Sequence, residues 1–185
     1  MSGGLGGLCA EDRLAICDVF TTYAHAVDQA NWDLYRSVFN DEATIDYTPA
    51  GGKKGSVEEI AAWMSGVFAI LSGQHMVANI DVRELTKESG EERCNVRALF
   101  HNPCSVRWLP WPRPLFCVGG WYVAELVREA GASDTVRGGA LRGWRIRYLT
   151  EEISYNNAFT NVALLLVGLL YAMWHLACEK SVKSS

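Results

Sequence analysis

The stretch "SGQHMVANIDVREL", residues 72–85, is where the apolar period of the chain changes. Before it, Ile60, Met64, Val67 and Leu71 recur at the three-to-four-residue spacing of one helix face. From His75 onward the spacing becomes two. Met76, Ala78, Ile80 and Val82 fall on one face of a strand, and His75, Val77, Asn79 and Asp81 on the other.

Working outward, the upstream third of the chain reads as helix. Leu14, Cys17, Phe20, Ala24 and Val27 form one apolar stripe along residues 11–29, widened by Ile16 and Tyr23. Asp28 stacks one turn beyond Ala24 on the flank of that stripe, where an unpaired carboxylate is costly. Asn31 is placed to cap a second helix, "WDLYRSVF", with Asp33 in its first turn. A short strand at residues 43–47 ends in a Pro/Gly turn, and Ser56 with Glu59 forms a capping box that opens a third helix.

Downstream the chain reads as strands: "ERCNVRALFH", "PLFCVGGWYVAELVRE" and "LRGWRIRYLTEEISY", the last two joined by the polar turn "AGASDTVRGG". The stretch "NPCSVRWLPWPRP" reads as a stiff connecting loop, or alternatively as an aromatic lip carrying Trp108 and Trp111. Three helices followed by long hairpin strands predict an α+β fold, a curved antiparallel sheet packed on helices.

The 185 residues suffice for one core. A net charge of −4 without a basic stripe excludes nucleic acid as a partner. The six cysteines show no zinc spacing, and GxSxG, HExxH, P-loop and GxGxxG motifs are missing, so neither metal nor cofactor is expected. Residues 1–10 are glycine-rich and expected to be disordered, without the pattern of a secretory signal. The domain is expected over residues 11–157, an apolar C-terminal helix over 158–179 and a polar tail over 180–185. "NVALLLVGLLYAMWHLACEK" is apolar on every side, which predicts a membrane-associated, tail-anchored protein with its domain facing the cytosol. A buried helix or dimer contact in an otherwise cytoplasmic protein is the alternative.

Four stretches, "DRLAICDVFTTYAHAVDQANWDLYRSVFNDEATIDY", "GQHMVAN", "GGWYVAELVRE" and "GWRIRYLTEE", resemble in their order and spacing a branch of the nuclear-transport-factor-two-like superfamily. That branch holds scytalone dehydratase, the SnoaL-like polyketide cyclases and hexachlorocyclohexane dehydrochlorinase. The resemblance implies a cone-shaped sheet closed by helices around an apolar pocket, with a homodimer formed through the convex sheet. It also implies a catalytic dyad: an Asp ending the first helix, here Asp28, and a His opening the strand after the third helix, here His75. The carboxylate would hold one ring nitrogen while the other moves a proton, giving elimination, isomerisation or cyclisation. Tyr23 and Tyr47 would offer phenols to a substrate oxygen, Asn79 would hold the same oxygen, and His101 would be a second acid. Trp63 and Trp121 would form pocket wall.

Two departures stand out. Val27 occupies the place of the Tyr that precedes the dehydratase Asp, and Tyr23 that of the dehydrochlorinase Lys. The expected function is therefore a cofactor-free dehydratase, isomerase or cyclase for a small lipophilic, natural-product-like substrate. The alternative is a non-catalytic ligand-binding or scaffolding module. Epoxide hydrolysis needs an Asp–Arg–Asp set on the strands that the sequence does not assemble.

Overall fold

The computed structural model describes residues 8–88, 90–108, 114–129 and 141–157. Helix α1 spans Ala10–Asp28 and buries Ile16, Val19, Phe20, Tyr23 and Val27. Leu8, just ahead of α1, packs against the core. Helix α2 is a single turn and a half, Trp32–Arg36, and the Asn31 side chain accepts the Leu34 N–H as its cap. Helix α3, Val57–Ile70, opens on the Ser56/Glu59 capping box.

The strands are β1 Phe39–Asp46, β2 Lys54–Ser56, β3 Leu71–Gly73, β4 Met76–Glu88, β5 Glu91–Val106, β6 Phe116–Arg128 and β7 Trp144–Asn156. They form one curled sheet in the order β2-β1-β7-β6-β5-β3, with β4 also pairing β5. The sheet is mixed, which corrects the purely antiparallel expectation: β1 runs parallel to β7, with Ile45 opposite Leu149. The two strands are about a hundred residues apart in sequence, so no hairpin signal announces the pairing. Among the described residues the helices cover one side of this sheet, in an α+β half-barrel.

Two bulges decide which residues of β4 face inward. The register with β5 slips between Ala78 and Asp81 and again between Arg83 and Leu85. Asn79 (φ 49°) and Glu84 (φ 48°) sit in the left-handed region there. Each extra residue shifts the alternation by one. Val77, Ile80, Val82 and Leu85 therefore pack on the core, while Met76 is 51% exposed. The expected common face of Met76, Ala78, Ile80 and Val82 is thus broken at Asn79.

The proline-rich stretch also reads differently. β5 continues through Pro103, whose carbonyl accepts the Gln74 N–H in the gap between β3 and β4. A residue without an N–H is tolerated there because the ladder is already interrupted.

The membrane-associated, tail-anchored expectation is corrected: among the described residues no helix is long and apolar enough to cross a membrane. The apolar run it rested on, with the C-terminal helix (158–179) and polar tail (180–185), lies outside those residues, as do the "AGASDTVRGG" turn and Trp111.

Gly120 marks a close approach between β6 and β7: a Cβ there would lie 2.0 Å from the Glu152 carbonyl oxygen. Gly120→Ala should cost about 1–3 kcal/mol in urea denaturation. Gly66 of α3 has open space instead, so Gly66→Ala should add about 0.5–1 kcal/mol.

Candidate active site

Asp28 ends α1, and His75 sits in the two-residue link between β3 and β4. The Asp28 carboxylate grips His75 twice. It accepts the backbone N–H at 2.9 Å (Oδ2) and 3.1 Å (Oδ1), and Oδ1 lies 2.6 Å from ring Nδ1. A carboxylate can only accept, so Nδ1 carries the hydrogen, and in the neutral tautomer the lone pair sits on Nε2. Asn102 Nδ2 lies 3.0 Å from Nε2. The His75 side chain is 5% exposed and that of Asp28 24%. Phe68 stacks near the ring, and Tyr23 meets it edge-on at 6.3 Å between centroids.

The ring stands in the wall of a cavity of about 240 Å³. Met64, Val67, Phe68, Leu71 and Phe116 make it apolar, and Tyr23, Tyr47, Asn102 and Glu151 give it polar points. Tyr23 Oη lies 2.7 Å from Tyr47 Oη, which lies 3.2 Å from Tyr35 Oη. Burial pushes the Tyr23, Tyr47 and Tyr122 phenols well above the ordinary range, so they act as neutral donors and acceptors. Burial also pushes the Cys104 thiol up to about 12, so it stays protonated. Among the described residues no three His, Cys, Asp or Glu side chains gather as metal ligands.

Of the candidates read from the sequence, Asp28, His75, Tyr23, Tyr47 and Trp63 lie together, with Asp28 behind the imidazole and the other four on the cavity. Three candidates do not join them. Asn79 is exposed on the bulge of β4, because the extra residue there breaks its phase with His75. His101 faces away from the cavity and its Nδ1 hydrogen-bonds the Tyr155 hydroxyl. Trp121 lies on that same outer face under the Arg97 guanidinium, 4.6 Å from its ring centroid.

Three cavity residues with polar or thiol side chains escaped the sequence reading. Asn102 and Cys104 continue the inward alternation Cys94, Val96, Ala98, Phe100 past the point where Pro103 suggested a loop. Glu151 lies between Leu149 and Ile153 in period two, which was the available signal for an inward carboxyl.

Residues 9–150 match the SnoaL-like domain family. The chain belongs to that family. An uncharacterised protein of Mycobacterium tuberculosis is 31% identical to this SnoaL-like domain over 138 residues, 73% of this chain and 80% of the relative. Among solved structures, a protein from Kribbella flavida is 26% identical with a TM-score of 0.59, covering 81% of this chain and 96% of its own. A candidate scytalone dehydratase from Novosphingobium aromaticivorans is 13% identical with a TM-score of 0.61, covering 80% and 90%. A type 3 hexachlorocyclohexane dehydrochlorinase from Novosphingobium barchaimii is 17% identical with a TM-score of 0.57, covering 78% and 90%. At these identities the last two share the fold of the SnoaL-like domain.

Within the SnoaL-like domain, burial alone raises the Glu151 carboxyl from 4.5 to about 8. A raised folded-state value means that its contribution to stability is complete below about pH 4.5 and is lost as pH rises through about 8. Glu151→Gln should therefore gain on the wild type across that window. Urea denaturation at about pH 5 and about pH 9 should show the difference growing with pH.

Proposed function

We propose that this SnoaL-like domain is a cofactor-free acid/base enzyme acting on a small, uncharged, lipophilic substrate. The observation that carries the reading is the Asp28–His75 pair, with the ring forming part of the wall of an apolar cavity. Asp28 holds Nδ1–H, so Nε2 is the nitrogen turned to proton transfer. A proton taken from the substrate and returned elsewhere on the same molecule gives elimination, isomerisation or cyclisation.

The cavity bears on the substrate. At about 240 Å³ it falls just below the range of about 300–1,000 Å³ typical of drug-sized ligands. No lysine or arginine lines it among the described residues, so an anionic substrate would find no counter-charge. The hydrogen-bonded phenols of Tyr23 and Tyr47 suit a neutral oxygen. Fold relatives named as a dehydrochlorinase and a candidate scytalone dehydratase support elimination chemistry without specifying a substrate.

One observation favours the second reading, a ligand-binding module. Nε2 already takes a hydrogen bond from Asn102, so catalysis requires that amide to yield its place to the substrate.

The readings separate with 1-tetralone, a small neutral ketone, in D2O. The enzyme reading expects the wild type to exchange the protons beside the carbonyl, and His75→Gln to slow this about 10²–10⁴-fold while still binding the ketone. Asp28→Asn should slow it too, by loosening the ring. Equal exchange in wild type and His75→Gln would overturn the assignment, and tight binding without exchange would favour the module.

A further inference from the structure

Glu151 is a carboxyl with an oxygen that finds no partner among the described residues. It stands on β7 directly across from Tyr122 of β6 and lines the same cavity as His75. Its Oε2 is sealed from solvent and accepts no hydrogen bond from any described residue. The titratable groups around it are Tyr23 and Asp28 from α1, Tyr35 from α2 and Tyr47 after β1. Tyr122 from β6, His75 before β4 and Cys104 from β5 complete the set. Lysine and arginine are missing from that set. A carboxylate with one oxygen sealed from solvent and neither cation nor donor beside it among the described residues is costly, which favours the neutral acid.

The placement relative to the base matters. Tyr23 meets the His75 ring at 6.3 Å on one side and the Tyr122 ring at 5.4 Å on another. Tyr122 is the cross-strand neighbour of Glu151. The imidazole and the carboxyl thus reach one cavity from different elements, with the tyrosines between them. Two titratable groups whose surroundings favour opposite tasks form an acid and base pair.

We propose that Glu151 is the acid partner of His75, donating its O–H to the carbonyl oxygen of a neutral ketone-type substrate. This rests on the reading of His75 as the base. His75 Nε2 takes a proton from the carbon beside the carbonyl, and the C–H electron pair becomes the C=C bond of an enol. The carbonyl π pair moves onto oxygen, which takes the proton of Glu151. The products of this step are an enol, an imidazolium and a carboxylate, the last two attracting each other across the cavity. As the C=O re-forms, the enol proton returns to Glu151. Where the substrate carries a β,γ double bond the enol is a dienol, and the imidazolium gives its proton to the γ carbon as the double bond shifts to the α,β position, completing an isomerisation. Where it carries a β-hydroxyl, the proton goes to that departing group, which leaves as water.

The test uses protein labelled with carbon-13 at the glutamate carboxyls, with Glu151 identified by the resonance lost in Glu151→Gln. The proposal expects that resonance in the neutral-acid range at about pH 6 and displaced by saturating 1-tetralone, in the wild type and in His75→Gln alike. Glu151→Gln should bind 1-tetralone with unchanged Kd but exchange its protons about 100-fold more slowly. The wild-type exchange rate should fall above about pH 8, and the residual rate of the variant should not. A carboxyl ionised at about pH 6, a resonance that ignores the ketone, or a Glu151→Gln rate equal to wild type each overturns the proposal. Displacement in both proteins without wild-type exchange would uphold the oxygen contact of Glu151 and remove the base role of His75.

Discussion

The Asp28 carboxylate joins the last turn of α1 to the start of β4, and the geometry of the cavity depends on that joint. Both carboxylate oxygens accept the His75 backbone N–H, and one also meets the ring. Hydrogen bonds to a charged acceptor are worth more than neutral ones, about 1.5–3 kcal/mol each. The same group therefore sets where the helix ends on the sheet and which way the imidazole points. A carboxylate on the core side of an amphipathic helix makes sense as the anchor of the residue that leads into a strand.

Around this joint the sheet supplies shape and the helices supply closure. The bulges of β4 add local twist, and β7 carries its own slips between Glu125 and Leu126 and between Gly119 and Gly120 of its partner β6. A sheet curled in this way leaves a hollow that α1 and α3 cover. The hollow is apolar in its walls, but its polar groups are not scattered: phenols from α1, α2 and the end of β1 meet at the Tyr47 hydroxyl. Buried phenols that satisfy one another cost little, and they keep a donor ready for an entering oxygen.

The outer face shows the opposite arrangement. Arg97 lies over Trp121 and pairs with Glu152, while Arg147 reaches Glu42 and Glu91. These residues alternate with the inward set along the same strands, so one residue of register separates a cavity group from a surface ion pair. Glu151 and Glu152 are the sharpest case, adjacent in sequence and assigned to opposite sides of the sheet.

Much of this was legible without coordinates. Phe20, Tyr23 and Val27 of the α1 stripe, the Asn31 cap, the Ser56/Glu59 box and the strand runs of β5 and β6 are local patterns whose physics needs only neighbours a few residues away. Leu14, read into the same stripe, is 66% exposed because the helix turns its Ile16 and Val19 side to the sheet instead. The family resemblance carried Asp28 and His75 to their positions, and the geometry brings them into contact. What local patterns could not decide was anything set by distant pairing. The parallel contact of β1 with β7 has no hairpin signature, and the bulge at Asn79 arises from register with β5, so Asn79 read as a neighbour of His75 and lies outside. Glu151 stood in a readable apolar alternation, yet only the folded sheet reveals that no described residue bonds its Oε2. Whether a buried group has a partner is a property of everything packed around it, and the sequence near that group does not contain it.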